Sequence, residues 1–144
     1  MNKLILLVIF YFHCEFAFGQ NTNFNVFQID SIVRRIDSTC ISGGITDYIF
    51  HKKGHKKKVI GGGADWFYTD SSGKVLLKVI RETTLKSENF DTYYFYLDSL
   101  IYLKTSNRTY IGNQKKINWE GSYYFQNHTL IFKHDSLKLN FNPN

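Results

Sequence analysis

The sequence predicts an α+β fold: one N-terminal amphipathic helix packed on a curled antiparallel sheet of hairpins. Three observations predict it. Tyr93-Tyr94-Phe95 and Tyr123-Tyr124-Phe125 are near-copies thirty positions apart, followed at equal offsets by Leu100-Ile101-Tyr102 and Leu130-Ile131-Phe132. Each copy reads as aromatic strand, short polar connection and aliphatic strand, the pattern of a β-hairpin. A looser copy runs from Trp66-Phe67-Tyr68 through Asp70-Ser71-Ser72-Gly73 to Val75-Leu76-Leu77. Before all of these, Val26, Ile29, Ile32, Val33 and Ile36 recur at helical spacing. Such a stripe must lie on a sheet to leave water.

The N-terminus carries the most specific functional signal. Lys3 precedes an unbroken apolar run over 4–12, and Ala17 and Gly19 place small side chains before Gln20. That layout is a secretory signal peptide over 1–19, with cleavage before Gln20. The apolar run falls short of the roughly 20 residues that a membrane span needs. One domain over 20–144 is expected, in a secreted or periplasmic protein without a transmembrane segment after cleavage. Removing 1–19 takes away Lys3 and Glu15 together, so the formal charge stays at +6. Cys40 is then left without an intramolecular partner and is expected as a small buried hydrophobe.

The helix is expected over 25–38, capped by Asn23 or Asn25 and stopped before Gly43-Gly44. Strands are then expected over 45–51 and 56–60, around a turn at Lys52-Lys53-Gly54-His55. Gly61-Gly62-Gly63 marks a bulge or a sharp change of direction. Further strands are expected over 66–69, 74–82, 92–97 and 100–104. Residues 107–118 lack a clear period and read as a loop or irregular edge. Segments 122–126, 129–133 and 137–141 end the chain as a meander.

Two surfaces could carry function. Tyr94, Tyr124, Tyr96 and Tyr102 could form an aromatic binding face, since tyrosine joins apolar area to a hydrogen-bonding tip. In each Tyr-Tyr-Phe triplet alternation sends the middle residue to the opposite side from its neighbours, so both sheet faces carry aromatics. The second surface is Lys52, Lys53, Lys56, Lys57 and Lys58, a basic hairpin tip that could draw a polyanion. Those lysines also do the plainer work of blocking edge-to-edge sheet pairing.

Other chemistries find less support. His51 and His55 straddle a glycine turn among lysines, which oppose a dication, so no metal site is expected. No cofactor motif is present: Gly61-Gly62-Gly63 is followed by neither a Lys-Ser/Thr pair nor a helix. Asp65, Glu82, Glu88 and Asp91 have no local arrangement that would separate their pKa values, as paired-carboxylate hydrolysis requires. A nucleic-acid partner is not expected of an exported chain without a recognised motif.

The helix followed by Tyr-Tyr-Phe and Leu-Ile hairpins resembles small exported bacterial proteins of unassigned function. Over 66–132 the hairpins also resemble aromatic-glycine repeats of the MORN type, departing from them in having Gly73 in one turn and no glycine in the others. These resemblances imply hairpin architecture and transfer no catalytic residue. The function expected is therefore a non-enzymatic exported binding module that holds a protein or glycan of the cell envelope on an aromatic sheet face. The alternative is a polyanion-binding protein acting through the lysine tip, with a small hydrolase as the least favoured reading.

Overall fold

The computed structural model describes residues 23–111 and 114–137. One helix, α1 (Val26–Thr39), precedes seven strands: β1 (Ile41–Lys52), β2 (His55–Thr69), β3 (Leu76–Thr84), β4 (Glu88–Tyr96), β5 (Ser99–Ile111), β6 (Gln114–Gln126) and β7 (Thr129–Leu137). The strands form one antiparallel sheet in sequence order, and β1 does not pair with β7, so the sheet stays open. Register shifts interrupt every ladder except β3–β4. Such bulges strengthen the twist and curl the sheet.

Asn25 starts α1 with a reciprocal capping box. Its side chain accepts from the Gln28 amide at 3.0 Å, and the Gln28 side chain accepts from the Asn25 amide at 2.9 Å. Ile29, Ile32 and Ile36 are buried against Tyr94, Ile101 and Tyr124 of β4, β5 and β6, and this is the hydrophobic core. Cys40, half-buried at the end of the helix, packs against the same cluster.

The two near-copies are equivalent hairpins. Leu97 and Asp98 join β4 to β5, and Asn127 and His128 join β6 to β7, all four with φ between 47° and 62°. Two consecutive residues at positive φ make the turn whose twist matches that of antiparallel strands. Each hairpin also carries a register shift at the same place, after Tyr94 and after Tyr124. The longer β2–β3 connection is held by Asp70, whose carboxylate accepts from Ser72 Oγ and from the amides of Lys74 and Val75.

Three expected boundaries are corrected. Residues 56–60 and 66–69 belong to one strand, because the three glycines let β2 run close to its neighbours without breaking. Residues 107–111 and 114–118 are not an irregular loop: the first continue β5 and the second begin β6, paired from Arg108↔Ile117 to Ile111↔Gln114. Its hydrophobic period is hidden because one side of this hairpin carries an amide chain in place of apolar residues. Finally, 129–133 extends without a turn to Leu137, since Ser136 and Asp135 still have partners on β6. The expected strand over 137–141 otherwise lies outside the described residues, as do the signal segment and its cleavage point.

Candidate functional site

Alternation along each strand, combined with the register, assigns every side chain to one of two faces. Tyr94, Tyr102, Tyr124 and Phe132 stand side by side on β4 to β7, with ring centroids 5.6, 4.8 and 5.6 Å apart. This is the face that α1 covers. Tyr94 and Tyr124 are buried, and their hydroxyls donate to the helix carboxylates, Tyr94 to Asp37 at 3.1 Å and Tyr124 to Asp30 at 3.0 Å. Lys78 reaches Asp37 at 2.9 Å from the neighbouring strand. Tyr102 shares a hydrogen bond with Ser122 at 3.0 Å. Tyr96 lies edge-on to Phe24 and beneath the Arg35 guanidinium. The four tyrosines named from sequence are thus brought together, but as the seat of the helix.

Burial, and then the neighbouring Asp37, push the Tyr94 hydroxyl far above its usual range. Burial and the hydrogen bond to Asp30 do the same to Tyr124. Burial works against the Lys78 charge, yet Asp37 holds its pKa above normal. The folded state therefore keeps the two tyrosine protons more tightly than an unfolded chain, whose tyrosines ionise near 10.0. Stability is complete below that pH and drains away as pH rises through the folded values. Urea melts at about pH 8 and about pH 11 should show the wild type losing stability on the alkaline side, with Tyr94→Phe losing less. An equal loss in the two proteins would refute this role for Tyr94.

Among the described residues no element lies over the other face. Its upper row is Phe67, Val79, Tyr93, Leu103, Tyr123 and Lys133, and the row below is Asp65, Arg81, Asp91, Thr105, Gly121 and Asp135. Neighbouring strands lie about 4.8 Å apart, so a six-strand row spans roughly 24 Å. Arg81 grips Asp65 through two bonds of 2.9 Å. Asp91 accepts from the Thr105 hydroxyl and from Tyr93. Asp135 meets the Tyr123 hydroxyl and, at 3.4 Å, Lys133.

Two glycines shape the ends of this polar row. A Cβ on Gly121 would stand 2.7 Å from the Tyr123 ring, and one on Gly63 would stand 2.8 Å from the Tyr48 ring. Each tyrosine therefore lies flat along the sheet over a bare backbone, with its hydroxyl toward an aspartate: Tyr48 to Asp65 at 3.5 Å, Tyr123 to Asp135.

A third row, below the aspartates, is a relay of amides. Asn89 donates to Thr83 at 3.4 Å, Asn107 to Asn89 at 2.6 Å and Asn118 to Asn107 at 2.6 Å, and Thr109 donates to Asn118 at 3.2 Å. Asn118 enters the chain because the register shift between Arg108 and Asn107 leaves it outside the ladder. Half-buried Trp119 adjoins it, paired with Asn107 across the strands.

The electrostatics of the row are settled by its internal partners. The Arg81 hydrogen bonds hold the Asp65 carboxyl below the usual carboxylate range, and Asp65 in turn raises Arg81. The Tyr123 hydrogen bond lowers Asp135 as well. Burial, then Asp91, raises the Tyr93 hydroxyl. Asp65 is thus an ionised acceptor at neutral pH, unsuited to act as a general acid, which would need a raised value. No group of three His, Cys, Asp or Glu that could hold a metal is found among the described residues.

From the sequence Asp65 and Asp91 are carboxylates without the local arrangement that hydrolysis needs, and alternation puts Tyr93 and Tyr123 opposite Tyr94 and Tyr124. Arg81, Thr105, Asp135 and the asparagine relay carry no signal in the sequence, since only cross-strand register brings them together. The lysine tip is elsewhere. Lys52, Lys53, Lys57 and Lys58 are exposed at the end of the β1–β2 hairpin, while the Lys56 side chain lies outside the description. No known family, curated protein or solved structure matches the chain.

Proposed function

We propose that this chain is an exported, non-enzymatic binding module, and that its helix-free sheet face holds an extended glycan lying across the strands. One observation carries the reading: half-buried Tyr93, Tyr123 and Trp119 stand beside a continuous polar row of carboxylates, guanidinium and amides that no element covers among the described residues. Aromatic rings offer an apolar surface to the C–H faces of a sugar, while fixed planar acceptors and donors meet its hydroxyls. The polar groups are already paired with one another, so they are held in place before a ligand arrives and little ordering cost remains.

A glycan-array screen, followed by titration with the oligosaccharide retained best, tests this. Tyr93→Ala or Tyr123→Ala should weaken binding roughly 30-fold, the loss of a hot-spot aromatic worth about 2 kcal/mol. Tyr94→Phe, beneath the helix, should bind as wild type. Wild-type affinity in both alanine variants would sink the reading. Retention of a protein from envelope extract in place of any glycan would transfer the face to a protein partner.

A further inference from the structure

The β1–β2 hairpin reaches beyond the body of the sheet. Pairing of β2 with β3 begins at Gly62↔Thr84, whereas β1 and β2 stay paired through Phe50↔Gly61, His51↔Val59 and Lys52↔His55. Residues 50–61 therefore form a two-stranded arm, with no third strand paired to it among the described residues. At its base the glycines permit a close approach: a Cβ on Gly61 would stand 2.0 Å from the Thr84 carbonyl oxygen.

The arm has two kinds of surface. Between Asp47 and Asp65 there is no acidic residue, while five lysines crowd the tip. Beside them Ile49 is 63% exposed, Val59 57% and Ile60 44%. Alternation puts Ile49 and, through its partner His51, Val59 on one side of the hairpin, with Asp47 and then Ile45 on that side toward the sheet.

We infer that this arm docks the protein on a lipid bilayer carrying anionic headgroups, the lysines resting among the headgroups and the aliphatic strip entering the interface. Charge complementarity alone would also suit a soluble polyanion or a nucleic acid. The exposed side chains decide between them. Isoleucine and valine cannot stack on bases as aromatic rings do, and they offer a dissolved polyanion nothing. In contact with a bilayer the same side chains leave water, so basic and apolar surfaces contribute together, as they do in interfacial membrane elements. The aliphatic strip lies on the opposite side of the sheet from Tyr48 and Asp65, so a glycan and a bilayer could be held at once.

Flotation of the protein with vesicles of phosphatidylcholine, alone or mixed with phosphatidylglycerol, tests the inference. Binding is expected to the mixed vesicles only. Each of Lys52→Ser, Lys53→Ser, Lys57→Ser and Lys58→Ser should weaken it about fivefold, the effect of one basic residue near an anionic surface. A double Ile49→Ser, Val59→Ser variant should also lose vesicle affinity while its retention on heparin stays at the wild-type level. Circular dichroism establishes that each variant is folded. Heparin retention without vesicle binding would overturn the inference in favour of a soluble polyanion. So would an Ile49→Ser, Val59→Ser variant that floats as wild type. These outcomes are independent of Tyr93 and Tyr123, so the glycan reading stands or falls separately.

Discussion

Replacing Ile29 by alanine is expected to destabilise the protein by roughly 3–5 kcal/mol, the upper part of the range for truncating a buried aliphatic side chain. Ile29 is the described side chain with no exposed surface, and it sits midway along the stripe that α1 presses on Tyr94, Ile101 and Tyr124. The cost has two parts, the lost transfer of apolar atoms out of water and the cavity left behind. Collapse into that cavity is resisted because the rings beneath are held by Asp30 and Asp37 from the helix itself. Phe27 on the same helix is 82% exposed, so Phe27→Ala should change stability by less than about 0.5 kcal/mol. Denaturant melts of the two variants make the comparison. Equal effects would mean that the helix is not seated on the sheet through this stripe.

The second large effect is expected at Gly63. Its alanine variant places a methyl group 2.3 Å from the Glu82 carbonyl oxygen and 2.8 Å from the Tyr48 ring. The carbonyl belongs to the β2–β3 ladder and cannot rotate away, so either the strands part or Tyr48 leaves its place beside Asp65. A loss of about 2–3 kcal/mol is expected, as for overpacking a filled interior. Gly44→Ala is the control. No atom stands within 4 Å of a Cβ at that position, and its backbone is not left-handed. There the change should be neutral or gain up to about 1 kcal/mol, through the reduced freedom of the unfolded chain. The pair is read by thermal melts together with near-ultraviolet circular dichroism, which follows the Tyr48 ring. Equal melting of the two variants would show that β2 has room at Gly63.

Local chemistry wrote much of this fold into the sequence. The stripe from Val26 to Ile36 required a helix with one wet side, and the capping box at Asn25 and Gln28 is a contact between residues three apart. The Tyr-Tyr-Phe and Leu-Ile copies required hairpins, because period-two alternation and a two-residue connection leave few other options. Alternation even separated Tyr93 from Tyr94 and Tyr123 from Tyr124.

The tertiary structure alone decided which of those two sides is covered. Both sides are aromatic, so neither hydropathy nor propensity ranks them. The choice follows from Asp30 and Asp37 on the helix meeting the hydroxyls of Tyr124 and Tyr94, contacts across 94 and 57 residues of chain. The continuation of β5 to Ile111 and the start of β6 at Gln114 were equally invisible, because asparagine and threonine side chains there satisfy one another across strands and replace the apolar period. The open polar row shows the same limit. Asp65, Arg81, Asp91, Thr105 and Asp135 stand on five different strands, and only the register of the whole sheet sets them in one line.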